Sequence, residues 1–167
     1  MFKRVVIYLL AGLIAGAGVS SAQASGASAA PSGRVILEVQ GTGVDRVFRF
    51  DRAALERLPQ KTLKTHTDWT DGEQVFEGVL LKDLLDHLGA KGTEVRAVAL
   101  NDYAVSIPAA DADAYPVLLA LKQNGRPMRI RDKGPIWIVY PNDVTDKSRP
   151  GAHNDKMVWQ LQRLEIR

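Results

Sequence analysis

Two short polar stretches place aromatic and acidic side chains next to each other. Trp69 lies in the stretch 67–72 beside Asp68 and Asp71, and Asn101-Asp102-Tyr103 joins two apolar segments. An aromatic ring offers a flat surface for stacking, and a carboxylate accepts hydrogen bonds from the N–H groups of a bound molecule. Both stretches also suit plain turns, because Asp and Asn are frequent turn residues. Trp69 therefore either lines a ligand pocket or caps the core.

Catalytic and metal-binding patterns are absent from the sequence. The chain has no cysteine, so no thiolate can act as a nucleophile or as a soft metal ligand. The three histidines, His66, His87 and His153, show neither H-x-x-x-H nor H-E-x-x-H spacing, and we predict no metal site. Ser106 and Ser148 lack a G-x-S-x-G elbow. We accordingly predict no catalytic residue.

The first residues have the pattern of a secretory signal. Lys3 and Arg4 precede an apolar run over residues 5–19, and Ala22-Gln23-Ala24 supplies a small-x-small cleavage site. We predict a signal peptide over 1–24, a flexible linker over 25–33, and one domain over 34–167. Removal of the signal leaves 20 basic and 19 acidic residues, and no basic stripe with interleaved aromatics suggests nucleic-acid binding. The expected location is the periplasm, with no direct membrane anchor after cleavage.

Hydrophobic periodicity predicts strands with a few short helices between them. Alternating or buried-strand patterns cover 34–40, 44–50, 61–67, 94–100, 103–107, 136–140 and 158–166. Asp51 is suited to cap a short helix over 53–58. The leucines of segment 79–88 fall at helical spacing, and Gly89 is a suitable left-handed cap. The predicted fold class is α+β, in a single domain.

Four phrases in order along the chain resemble the sulfite-oxidase-type molybdopterin-binding domain. They are FEGVLLKDLL at 76–85, NDYAVSIP at 101–108, LLALKQNGRPM at 118–128 and GPIWIVYP at 134–141. The resemblance extends from about residue 35 to residue 167. It implies a mixed-sheet domain with short inserted helices and a site for a pterin.

The sequence departs from this family at two positions. The resemblance implies that the metal-binding cysteine would fall within 61–68, where the chain offers only threonines, lysines, His66 and Asp68 as polar side chains. An arginine of the family's last phrase is replaced by Trp137, which substitutes a flat apolar face for a bidentate anion contact. The resemblance, with these losses, implies a pterin of the tetrahydropterin type as the ligand, with no covalently bound cofactor and no molybdenum.

A pterin is a flat ring with a donor edge, so aromatic and acidic residues are the expected contacts. Asp102 is the first choice for the ring-edge acceptor. Trp137 and Tyr140 lie three positions apart on one strand and point to opposite faces if the strand is regular. Arg131 belongs to a basic cluster that is either a solvated face or a contact for a ligand tail or an acidic partner. The predicted ligand-binding residues are Trp69, Asp102, Tyr103, Trp137, His66, Asp68, Arg131 and Tyr140.

The resemblance implies a periplasmic, non-catalytic pterin-binding protein. In the metal-free branch of the family, the binder acts on the periplasmic domain of an inner-membrane cyclic-di-GMP synthase/phosphodiesterase, which is therefore the expected partner. Two alternatives stay open: a subunit of a molybdopterin-dependent oxidoreductase, and an interaction module whose pocket is filled by its own side chains. The polar loop 142–151 is either a lid or a docking surface.

Overall fold

The computed structural model describes residues 31–142 and 151–167. The predicted signal peptide, most of the predicted linker and most of the polar loop 142–151 lie outside the described residues. Within the described part of the linker, Ser32 Oγ and Gly33 N donate hydrogen bonds to Asp51 Oδ2, at 3.3 and 2.7 Å. No helix in the described part is long and apolar enough to span a membrane.

Within the described residues, three short α-helices are inserted between ten strands. The helices are α1 (Arg52–Glu56), α2 (Leu81–Leu88) and α3 (Asp111–Ala114). The strands are β1 (Val35–Gly41), β2 (Phe48–Asp51), β3 (Gln60–Thr65), β4 (Gln74–Leu80), β5 (Glu94–Ala99), β6 (Ala104–Pro108), β7 (Leu118–Gln123), β8 (Arg126–Pro127), β9 (Trp137–Val139) and β10 (Leu161–Ile166). Single 3₁₀ turns lie at Ile130–Asp132 and Asn154–Lys156. The predicted α+β class with short inserted helices is confirmed.

The strands form two sheets, one mixed and one antiparallel. The first sheet has the order β2-β1-β10-β5-β6, in which β1 and β10 are parallel and the other pairs are antiparallel. The second has the order β3-β4-β7-β8, and β9 also pairs with β7. The C-terminal strand β10 thus lies in the centre of the first sheet. This placement brings the segment just before β10 next to the turn between β5 and β6.

The helix boundaries follow from local chemistry. Asp51 caps α1, because its Oδ1 accepts a hydrogen bond from Ala54 N at 2.7 Å. Helix α2 buries its four leucines and ends at Gly89, whose φ of 65° is a left-handed conformation that glycine adopts without a steric penalty. The α2 segment begins two residues later than the leucine pattern suggests, because Val79 and Leu80 still belong to β4. Burying each leucine contributes about 1.5–3 kcal/mol.

One hydrophobic core lies against both sheets. It includes Leu37 of β1, Phe76 of β4, Leu119 of β7 and Leu164 of β10, each at most 1% exposed. The short strand β9 is buried at all three of its positions. This is the pattern of a strand covered on both faces rather than one that alternates between core and solvent.

Candidate ligand-binding site

An aromatic cleft lies where the β5–β6 turn meets the segment that leads into β10. Its volume is about 250 Å³, which is slightly below the usual range for small-molecule sites. The lining residues are Trp69, Ala99, Asn101, Tyr103, Asn154, Asp155, Met157, Val158 and Trp159. Two indoles and a phenol thus face a cleft that also holds one carboxylate.

The three tryptophans of the chain pack together beneath and beside this cleft. The ring centroids of Trp69 and Trp159 lie 5.3 Å apart at an interplanar angle of 87°, and Trp69 lies 6.1 Å from Trp137. Trp137 is 0% exposed, contacts Phe76 edge-on, and donates from Nε1 to Met157 O at 3.3 Å. Trp159 is 38% exposed. Trp137 is therefore a core support for the two indoles that line the cleft.

The loop that carries Trp69 is fixed by threonine hydroxyls. Thr67 Oγ1 hydrogen-bonds Thr70 Oγ1 at 2.8 Å and accepts from Trp69 N at 3.3 Å. Such side-chain-to-backbone bonds stabilise a turn in place of a regular ladder. Asp68, on the same loop, does not line the cleft; its carboxylate accepts a hydrogen bond from Asn154 Nδ2. The Trp69 loop is thereby tied to the 3₁₀ turn on the opposite wall.

The β5–β6 turn supplies the third aromatic ring. Asp102 has a φ of 64°, a left-handed conformation that aspartate tolerates better than most residues, and its N–H donates to Ala99 O at 3.1 Å. Asn101 Oδ1 accepts from Tyr103 N at 3.2 Å. The turn directs Tyr103 to the cleft, where the side chain is 54% exposed, whereas Asp102 does not line the cleft. The carboxylate that lines the cleft belongs to Asp155.

A second cleft adjoins the first and shares Asn154 and Met157 with it. Its volume is about 370 Å³. His153 lies between two tyrosines in this cleft, stacked on Tyr140 at 4.7 Å and 20° and tilted against Tyr115 at 4.6 Å. We call it the tyrosine–histidine cleft. The 3₁₀ turn Asn154–Lys156 is the wall between the two clefts.

A partly buried ion pair underlies the tyrosine–histidine cleft. Asp111 Oδ2 accepts from Lys156 Nζ at 2.7 Å and from Tyr140 Oη at 2.9 Å. Burial and then the bond to Asp111 raise the pKa of the Tyr140 hydroxyl, so it stays protonated as a donor. Burial and the nearby Lys156 charge lower the pKa of His153. Its Nδ1 is buried and has no hydrogen-bond partner among the described residues.

The structure brings some of the predicted ligand-binding residues together and separates others. Trp69 and Tyr103 line the aromatic cleft, and Asp68 contacts its wall through Asn154. Asp102 lies in the adjacent turn. Four predicted contacts lie elsewhere: Trp137 in the core, Tyr140 in the second cleft, His66 on the loop after β3, and Arg131 on the exposed 3₁₀ turn Ile130–Asp132.

Sequence reasoning did not identify one aromatic and one acidic residue of the aromatic cleft, nor the ion pair beneath the tyrosine–histidine cleft. Trp159 and Asp155 come into the cleft only because β10 lies beside β5, a long-range pairing. The signal that could have found Trp159 is its place at the end of the short apolar run Met157-Val158-Trp159, between a polar segment and the alternating strand β10. Lys156 and Asp111 are 45 positions apart, and no spacing links them.

The stretch 61–68 does not fit a metal held through a thiolate. Thr65 is buried, and its hydroxyl oxygen accepts a hydrogen bond from Asn142 N at 2.7 Å. A neutral hydroxyl already engaged in a hydrogen bond is a poor substitute for a soft sulfur ligand. Over the described ranges, no three His, Asp or Glu side chains are grouped so that they could hold a metal ion.

Comparisons with known proteins agree with the four phrases of the sequence. The model of the family described as oxidoreductase molybdopterin binding domain matches residues 32–149. The sulfane dehydrogenase SoxCD from Paracoccus pantotrophus has a similar fold, with a TM-score of 0.59 and 22% identity. The alignment covers 78% of this chain and 37% of that one, so the chain corresponds to well under half of that solved protein. No curated protein sequence matches this chain significantly.

Proposed function

Because the chain belongs to the oxidoreductase molybdopterin binding domain family, we propose that its aromatic cleft binds the ring of a free pterin, without catalysis. The observation that supports this proposal is the pairing of two indoles and Tyr103 with the Asp155 carboxylate around one small cleft. These are the groups that a flat ring with a donor edge requires.

The ring stacks on one indole and meets the edge of the other. Trp69 and Trp159 are nearly perpendicular, at 87°, so one flat ligand cannot stack on both faces. A single aromatic stack contributes roughly 0.5–1.5 kcal/mol beyond the burial of the ring. Trp159 has the more exposed ring and is the natural stacking surface.

Asp155 accepts hydrogen bonds from the 2-amino and ring N–H edge of the pterin. A hydrogen bond to a charged group contributes roughly 1.5–3 kcal/mol. One stack, one or two such bonds and burial of the ring together account for about 8 kcal/mol, the free energy of micromolar binding. Asp155 takes the role that the sequence suggested for Asp102.

The protein acts as a binder because the chain lacks the residues for redox chemistry at molybdenum. It contains no cysteine. In the stretch 61–68, where the family's metal-binding cysteine is expected, the hydroxyl of Thr65 accepts a hydrogen bond from the backbone N–H of Asn142. We propose further that the protein is periplasmic and that it reports pterin occupancy to the periplasmic domain of an inner-membrane signalling protein, such as a cyclic-di-GMP synthase/phosphodiesterase. This role is supported by the signal-like N-terminus and by the family resemblance.

Isothermal titration of the purified chain with tetrahydrobiopterin and with an oxidised pterin tests the proposal. We expect saturable binding near micromolar dissociation constants. Metal analysis of protein from a host that makes the molybdenum cofactor supplies the control, and stoichiometric molybdenum would support the oxidoreductase alternative instead. The absence of saturable binding to every pterin tested would overturn the proposed function.

A further inference from the structure

Four of the six large apolar side chains exposed in the described part of the chain lie around one corner of the fold. Gln160, which has a left-handed backbone conformation with a φ of 52°, lies at this corner and hydrogen-bonds two of the segments that meet there. Its carbonyl accepts from Leu100 N and its side-chain amide donates to Ile130 O, both at 2.9 Å. The four residues, which we call the Gln160 patch, are Leu100, Tyr103, Ile130 and Trp159. Soluble proteins usually scatter such residues singly, and a contiguous group indicates an interaction surface.

A groove of about 490 Å³ continues from this patch across the outer side of the first sheet. Leu100 and Ile130 are part of its wall. Its other apolar lining comes from Val35, Ile36, Met128 and Pro135. The groove therefore offers a continuous apolar floor that begins at two residues of the Gln160 patch.

The rim of the groove is basic. Arg34, Arg129 and Arg163 line it, and among the lining residues Glu38 is their single carboxylate. The rim arginines have partners, since Arg129 pairs with Asp132 at 2.7 Å and Arg163 pairs with Glu165 at 2.9 Å, while Glu38 pairs with Arg49 at 2.8 Å. Asp132 is shared with Arg131, and Glu165 is shared with Arg96 and Arg167, so positive charge remains in excess around the groove. We call this feature the arginine groove. Its charge favours an occupant that carries carboxylates.

We propose that the Gln160 patch and the arginine groove dock an acidic, amphipathic segment of a partner protein. Apolar side chains of the segment would cover Leu100 and Ile130, and its carboxylates would pair with the arginines of the rim. Tyr103 and Trp159 belong both to this surface and to the aromatic cleft, so a ligand and a partner contact the same two side chains. The idea that a bound ligand affects partner docking rests on the proposed function. The docking surface itself rests only on its own geometry.

Peptide binding tests the surface directly. The probe is a short fluorescein-labelled peptide of leucine, phenylalanine and glutamate, and the matched control replaces each glutamate by lysine. We expect saturable anisotropy changes with the acidic peptide alone, and weaker binding as salt screens the arginines. Leu100→Asp and Ile130→Asp are each expected to weaken binding at least about tenfold, as interface anchors do. Val47→Asp, on an equally exposed residue outside the patch, is expected to leave it unchanged.

Three outcomes would overturn the docking proposal. They are equal binding of the two peptides, no saturable binding of either, and a dimer of the chain that Leu100→Asp abolishes, since a second copy would then occupy the surface. Circular dichroism confirms that each variant is folded. Calorimetric titration of the same samples with tetrahydrobiopterin separates the two proposals, because a chain that binds the acidic peptide and no pterin contradicts only the proposed function.

Discussion

Replacing Trp159 by alanine tests the central contact of the aromatic cleft. Trp159 is 38% exposed and its ring lies perpendicular to that of Trp69, so the change removes one stacking surface together with its contacts to Trp69 and Trp137. Removal of one aromatic stacking partner costs about 1–3 kcal/mol of ligand binding. The dissociation constant for a pterin should therefore rise by roughly 5- to 150-fold. Trp159→Phe keeps a ring and should show a smaller loss.

Isothermal titration calorimetry is the suitable assay, because it measures binding without relying on the tryptophans that the experiment changes. Val47→Ala is the matched control, since Val47 is similarly exposed at 37% and lies outside the cleft. The thermal midpoint of each variant shows whether the fold is retained.

The reasoning would be refuted if Trp159→Ala kept its wild-type thermal midpoint and bound the pterin as tightly as the wild type does. The stacking surface would then lie elsewhere. Wild-type affinity in Trp159→Ala together with a strong loss in Tyr140→Ala would move the site to the tyrosine–histidine cleft.

Three further predictions concern the charged residues of the two clefts. Asp155→Asn should weaken pterin binding about tenfold in calorimetry, whereas Asp102→Asn should not change it. Lys156→Met should lower the free energy of unfolding in urea by about 2 kcal/mol, because it leaves Asp111 without its cation in a mostly buried site. The lowered pKa of His153 means that protonation favours the unfolded state, so stability is complete above the unfolded pKa of about 6.5 and decreases as pH falls below it. His153→Gln should make the thermal midpoint less sensitive to pH in this range.

Each of these predictions has a clear contrary result. Loss of binding in Asp102→Asn with full binding in Asp155→Asn would restore the acceptor that the sequence first suggested. An unchanged urea midpoint in Lys156→Met would show that Asp111 is satisfied by Tyr140 and solvent alone. Parallel pH profiles of the wild type and His153→Gln would assign the acid sensitivity to other groups.

Local patterns predicted the regular elements of this fold well. The leucine spacing of α2, the cap at Gly89 and the cap at Asp51 each depend on residues within a few positions of one another. The hairpin of β5 and β6 is likewise a short-range feature, closed by the turn at Asp102. Local chemistry alone determines these features, so the sequence is sufficient to find them.

The candidate site was harder to predict because it depends on pairings between distant segments. Trp137 was expected to face a ligand, but β9 is covered on both sides and the indole is fully buried. Periodicity cannot distinguish a strand with one buried face from a strand with two when only three residues are involved. Trp159 and Asp155 reach the cleft through the central position of β10, which no local pattern indicates.

The close packing of all three indoles also determines how the molecule absorbs and emits light. Their ring centroids lie 5.3 to 6.5 Å apart, so we expect the electronic transitions of Trp69, Trp137 and Trp159 to couple. The near-ultraviolet circular dichroism should therefore show a coupled tryptophan signal rather than three separate ones. A ligand that contacts Trp159 should change this coupled signal. Binding could then be followed by circular dichroism without an added label.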